Sequence, residues 1–298
     1  MHWFSYYDDL FRKLHVPQPG RVTELLVTEE PEFSKKYAYL IKPRQYQIGS
    51  GVTNKIKFKY DNFEFVIYEI DESDRITYSL FNNNDLNDSR ECITLFIPLN
   101  EKFVHLQNIS YYDKCTSGMP KTRGGSLLLN MTLDFIKKYL KPKYARKYIQ
   151  LKDNSYFPCR QTKNTIDFDS LYMMSHGHTW YGKYGFVPFD TNTESTDVYT
   201  LNDYKSNQKL VEKTKVKDTK TEKYFREAVK ILKLERIFTE NKLNNMFSAY
   251  KELPIKKFVK DLLKQYDVTC GIFSLIYRKM MDDIGMKNLH GRSYYKTI

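Results

Sequence analysis

The chain has 298 residues, 41% hydrophobic and 28% charged, with 25 Tyr and 19 Phe. That aromatic load excludes collagen-like, low-complexity and largely disordered classes. Its net charge of +12 is uneven: residues 1–200 hold 26 Lys+Arg against 24 Asp+Glu, and residues 201–298 hold 22 against 12.

No stretch reaches the roughly 18 uncharged apolar residues that a spanning helix needs, so no membrane partner is expected. Asp8 and Asp9 interrupt the opening segment, which argues against a secretion signal. Cys92, Cys115, Cys159 and Cys270 form no CxxC pair, which argues against a zinc ribbon. Free thiols in a reducing, cytoplasmic setting are the expectation.

Residues 1–20 read as a short amphipathic helix ended by Pro17, Pro19 and Gly20. From about 22 to 111 the texture is strand-like: VTELLVT, YAYLIK, KIKFKY, FEFVIYEI, ITYSLF, CITLFIPL and FVHLQNISY are β-branched or aromatic runs. Asp61-Asn62 reads as a tight hairpin turn, and 82–89 as a polar loop. The spacing predicts a helix over 124–140, with Leu128, Met131, Phe135 and Tyr139 on one face and Leu129, Leu133 and Ile136 beside them. Pro142 should stop it. YIQLKD is the next strand, FDSLYMMSH a short helix, and YGFVPF and DVYTL further strands.

After 201 no strand is expected. Residues 206–223 read as a linker or an exposed helix. Helices follow over 221–238, from Pro254 with Ile255, Phe258, Val259, Leu262, Leu263 and Tyr266 on one face, and over 271–284, closed by Gly285. The expected division is a domain over 1–200 and a basic helical domain over 201–298. The basic end implies an acidic protein or nucleic-acid partner, or simply a solvated lysine-rich surface.

The segment from Phe103 to Leu140 carries the most chemistry. A strand runs into Asp113-Lys-Cys-Thr-Ser-Gly-Met-Pro-Lys-Thr-Arg-Gly-Gly-Ser126 and then into the helix. Paired glycines at a helix start let unpaired amides approach an anion, where the helix dipole favours negative charge. Lys121 and Arg123 add cations. A plain turn with a steric need for glycine is the other reading. The spacing matches neither a P-loop nor a full GxGxxG.

From about 55 to 200 the order of elements resembles the GNAT N-acetyltransferase superfamily. Its [QR]-x-x-G-x-[GA] loop is similar to Lys121-Thr-Arg-Gly124-Gly-Ser126, with Lys and Ser at the variant ends. Its later [FL]-Y-x-K-x-G-F signature is similar to Trp180-Tyr181-Gly182-Lys183-Tyr184-Gly185-Phe186. Met174 and Gly177 stand where the family usually has Asn and Ala. The resemblance implies an α+β fold, with a mixed, mostly antiparallel central sheet flanked by helices. It also implies acetyl-CoA as acyl donor and an amine acceptor. Asn108, Ile109, Ser110 and Tyr111 would face the pantetheine arm. Lys121, Arg123, Gly124, Gly125, Ser126 and Leu127 would hold the pyrophosphate, and Tyr181 would protonate the departing thiolate. The Lys-, Asn-, Ile- and Tyr-rich character also resembles GNAT-like proteins of large DNA viruses, which implies host cytoplasm or virion. A GNAT-fold protein without catalysis, binding through its basic end, is the rival reading, and a nucleic-acid-binding protein a third.

Other groupings have blander readings. His176-Gly-His178 is a metal candidate or a loop; no metal is expected. Cys159 with His105, His176 or His178 is a thiol-protease candidate. Trp180, Tyr181 and Tyr184 are a stacking surface or core aromatics. Glu69, Asp71, Glu72 and Asp74 are a general-base candidate or an acidic turn.

Overall fold

A computed structural model gives the fold. It describes residues 22–28, 51–61, 63–82, 91–109, 115, 124–159, 161–190, 192–264 and 266–298. The chain is mixed α+β and divides into two compact units: Met1–Leu151 with Lys296–Ile298, and Lys152–Tyr295. The division expected near residue 200 falls inside a helix instead.

In the first unit, strands β1 (Val22–Thr28), β2 (Gly51–Tyr60), β3 (Phe63–Asp71), β4 (Arg75–Asn82), β5 (Ile93–Pro98) and β6 (Phe103–Ile109) pair antiparallel in chain order. The β2–β3 hairpin closes at Tyr60↔Phe63. Asp61 takes φ 53°, the left-handed conformation that a two-residue hairpin loop demands. Asn62 lies outside the described residues, as do the expected helix over 1–20, the YAYLIK run, and residues 83–90. β3 is buried from Phe65 to Ile70, on both faces, as its unbroken apolar run implies.

β7 (Tyr148–Lys152) pairs parallel to β6, from Phe103↔Tyr148 to Leu106↔Leu151. A parallel pair needs a crossover, and helix α1 (Gly124–Phe135) supplies it. Leu128, Leu129, Met131 and Phe135 are buried, as the periodicity predicts. Pro142 does not stop this helix. A π-helical segment, Ile136–Leu140, follows α1, and a short helix α2 (Lys141–Tyr144) carries Pro142 in its first turn. The missing proline N–H falls where the wider i→i+5 turn hands over to a fresh start, so it breaks no needed bond. Ala145, at φ 53°, ends the run.

The second unit is built on helices with short strands. Hairpin β8 (Tyr156–Pro158) and β9 (Thr165–Asp167) precedes α3 (Phe168–His176). After β10 (Val187–Asp190) and β11 (Ser195–Thr196) the chain enters α4 (Val198–Lys213). DVYTL is therefore a helix start, not a strand: the Asp197 side chain accepts from Thr200 N–H, and an N-cap outweighs a short β-branched run. Helices α5 (Thr221–Ile231), α6 (Glu240–Tyr250), α7 (Ile255–Leu263) and α8 (Tyr266–Asp283) follow. Phe225, Phe247 and Phe258 meet there with centroids 5.5–6.3 Å apart, each buried ring worth about 1.5–3 kcal/mol. Strands do not cease after 201: β12 (Ser293–Thr297) pairs antiparallel with β10.

The thiol expectation is also corrected. Cys92 bonds to Cys115 and Cys159 to Cys270. Sequence separations of 23 and 111 residues hide such pairing from any local motif.

Candidate functional site

In the first unit, α1 opens directly on Gly124 and Gly125, with no acidic residue in its first turn. Its leading amides lack intrahelical partners. Gly125 and Ser126 are buried and Leu127 is half-buried. In a crossover of this kind the helix start lies at the carboxyl end of the preceding strand, where open α/β sheets take ligands.

That end of β6 is distinctive. The β6–β7 ladder stops at Leu106↔Leu151, but β6 runs on to Ile109. On its other side the register jumps between Leu95↔Leu106 and Thr94↔Asn108, so Gln107 is an extra residue. A bulge of this sort re-aims the backbone and is common beside sites. Gln107 and Asn108 are exposed and Ile109 half-buried. Asn108 and Ile109 thus sit on this strand end, and Gly124, Gly125, Ser126 and Leu127 form the first helical turn. Ser110, Tyr111, Lys121 and Arg123 lie outside the described residues.

Tyr181 belongs to the second unit. It immediately precedes a 3-10 turn, Gly182–Tyr184, ended by Gly185 at φ 82°. Its ring packs edge-on against Trp180 and Phe186, at 4.9 and 5.9 Å. Its hydroxyl makes no hydrogen bond among the described residues. Burial raises the phenol's pKa, and the Asp153 charge raises it further, so the group is a neutral acid at physiological pH. Gly182 is required for packing: a Cβ there would collide with the Tyr204 hydroxyl.

Residues that the sequence reading passed over gather in the same unit. Asp153, Asp167 and Asp169 are 1%, 6% and 0% exposed, and His290 Nδ1 stands 3.9 Å from both Asp167 and Asp169. The local signal was faint: Asp167 and Asp169 flank Phe168 at a helix start, and His290 is over a hundred residues away.

The other candidates resolve into structure. His176 stacks on Tyr172 at 4.1 Å and its Nδ1 meets Ser175 Oγ at 2.7 Å. Burial first, then Lys260 and His178, push its pKa down to about 3, as for a neutral packed imidazole. Among the described residues no group of three His, Cys, Asp or Glu is arranged to hold a metal. Cys159 is in a disulfide, which removes the thiol-protease reading. Glu69 is buried, taking Lys143 Nζ on both oxygens at 2.8 Å and Tyr78 OH at 2.9 Å. Glu72 accepts from Arg75 at 2.5 Å and Thr77 at 3.0 Å. Trp180 is 7% exposed and so is core. No described helix is long and apolar enough to cross a membrane.

Comparison with models of protein families, with curated proteins and with solved structures found no match for this chain.

Proposed function

We propose that the chain is an N-acyltransferase of the GNAT kind it resembles, moving an acetyl group from acetyl-CoA to an amine. The observation that carries the reading is the β6–α1–β7 crossover, whose helix opens on two glycines and whose leading strand carries a bulge near its end. A helix start with no carboxylate in its first turn suits a pyrophosphate. Arg123 and Lys121 would add charge-assisted bonds. The Asn108–Tyr111 backbone would hold pantetheine and polarise the thioester carbonyl.

The acceptor's neutral amine attacks that carbonyl carbon. The tetrahedral intermediate collapses with cleavage of the C–S bond. The departing thiolate takes a proton, a role that the resemblance gives to Tyr181, and the amine's surplus proton leaves to water or a base. Basic residues of 201–298 would favour an acidic protein or nucleic-acid-associated acceptor.

A second reading has one observation in its favour. All four cysteines are paired, a pattern of oxidising settings that include virion surfaces. A non-catalytic virion component would fit it. Co-crystals of the full chain with CoA separate the two. Acyl transfer requires the pyrophosphate on the Gly124–Leu127 turn. A turn filled by the protein's own side chains, with CoA absent, overturns it.

A further inference from the structure

Residues 141–148 of the first unit read KPKYARKY, four cations with no carboxylate among them. The fold sends them to different places. Lys143 takes the buried Glu69 as its counter-ion, at 2.8 Å. Lys141, Arg146 and Lys147 instead line one open cavity of about 610 Å³, between the α2–β7 junction and the end of β12. Most of its remaining wall is apolar, from Pro142, Tyr148 and Ile298.

None of the three lining cations has a carboxylate partner among the described residues. Lys141 Nζ donates to the main-chain oxygen of Ile298 at 2.7 Å. Arg146 donates from Nη1 to Glu101 C=O, and from Nη2 to Pro98 C=O at 2.9 Å and Leu99 C=O at 3.4 Å. Its Nε is buried and has no hydrogen-bond partner among the described residues. The carboxylate of Glu101 goes elsewhere, to His105 Nε2 at 2.5 Å. The Lys147 side chain makes no hydrogen bond or ion pair among the described residues.

Backbone bonds hold this wall in place. Lys147 N–H donates to Lys102 C=O at 3.1 Å, and Ile298 N–H donates to Lys147 C=O at 3.0 Å. Ala145, which also lines the cavity, is held at φ 53°, a conformation that costs any residue with a Cβ and that recurs where ligands are clamped. The π-helical turn Ile136–Leu140 directly before α2 is another feature frequent at functional sites.

Three cations with only neutral oxygens as partners repel one another, and a half-buried guanidinium without a counter-charge is costly. An anion in the cavity offsets both. The volume is that of a small-molecule site. A bare inorganic ion would leave the apolar wall in water, and a neutral apolar molecule would leave the cations unpaired. Lys141 and Lys147 are exposed, so a head group can reach both. We propose that this cavity binds a small organic anion, with a phosphate or carboxylate head held by Lys141 and Lys147 and an apolar body laid against Pro142, Tyr148 and Ile298. The site lies at the amino end of the β6–β7 pair, where Phe103 faces Tyr148. Gly124 follows the carboxyl end of β6, so this site is separate from the glycine-opened turn and does not rest on acyl transfer.

Calorimetric titration of four probes into the full chain tests the proposal: phenyl phosphate, benzoate, inorganic phosphate and benzyl alcohol. Phenyl phosphate or benzoate should saturate one site, and the tighter of the two assigns the head group. Inorganic phosphate and benzyl alcohol, each lacking half of the ligand, should bind at least about tenfold more weakly. The double variant Lys141→Gln, Lys147→Gln should lose about tenfold or more in affinity, the scale of a charge-assisted hydrogen bond, with the melting temperature unchanged. The control Lys256→Gln, Lys257→Gln, in the second unit, should bind as wild type does. In nuclear magnetic resonance spectra of the wild type, the amides of 141–148 and 297–298 should shift with the bound anion. No saturable binding of either organic anion overturns the proposal. So does benzyl alcohol or inorganic phosphate binding equally well, or shifts confined to other residues. Affinity unchanged in a folded Lys141, Lys147 variant overturns it too, and should that variant not fold, the wild-type probes and shifts still decide.

Discussion

The Tyr181 hydroxyl carries no hydrogen bond among the described residues, while its ring is wedged between Trp180 and Phe186. On the proposed reading the hydroxyl would carry the chemistry, while the ring carries the packing. Tyr181→Phe keeps the ring, so the melting temperature should hold. Loss of a general acid should lower kcat by about 10²–10⁴-fold. Intact turnover in the variant would reduce Tyr181 to a core aromatic. His176 makes a second residue-scale prediction. Its folded pKa, about 3, lies below the ordinary histidine value. Its contribution to stability is therefore complete above about pH 6.5 and is lost as pH falls toward 3. Asp169 runs the other way: its folded pKa is raised, so stability is present at low pH and is lost as pH rises through about 7. Melting curves of His176→Gln should be flatter than wild type on the acid side only, and those of Asp169→Asn flatter toward pH 7 only. At this scale the sequence singles out Tyr181 through a contiguous motif, and the fold packs its ring against Trp180 and Phe186. The sequence could not expose Asp167, Asp169 and His290 as a set, because their proximity is made by the fold.

Among elements, the strands of the first unit follow from alternating and continuous apolar runs, and α1 and α7 from helical spacing. The failures have local physical causes. At 197–201 a single hydrogen bond, Asp197 to Thr200 N–H at 3.0 Å, converts a strand-like run into a helix start. Asp197→Ala should cost about 0.5–2 kcal/mol in denaturant unfolding, and Asp197→Asn far less. Equal losses would deny the cap. Helix α6 was missed because it buries little beyond Leu243 and Phe247, too sparse a stripe for periodicity to register. β12 was missed because its partner, β10, is about a hundred residues earlier. The Cys159–Cys270 bond links the loop after β8 to α8. Closing a loop of 111 residues should contribute about 2–5 kcal/mol. The double serine variant should unfold at lower denaturant by that margin, and a wild type indifferent to reductant would contradict the pairing.

On the scale of the whole molecule, the charge contrast that suggested a basic tail is redrawn. Residues 152–295 hold 25 Lys+Arg against 18 Asp+Glu, a net of +7, which leaves +5 for the other unit. Several lysines are also engaged: Lys257 and Lys264 with Asp261, Lys256 with Glu212, Lys215 and Lys217 with Glu252. A chain cut near 200 would sever α4 and so is no test of charge. The full chain with Lys to Gln at 256, 257, 260 and 264 should leave heparin at lower salt than wild type, and an unchanged elution would place any polyanion affinity elsewhere. The central claim concerns the glycine-opened helix, and titration calorimetry of acetyl-CoA into the full chain tests it most directly. The account predicts one saturable site, weakened about tenfold to a hundredfold by Arg123→Ala, the scale of a charge-assisted hydrogen bond, with the melting temperature unchanged. No heat of binding, or binding indifferent to Arg123, would contradict it.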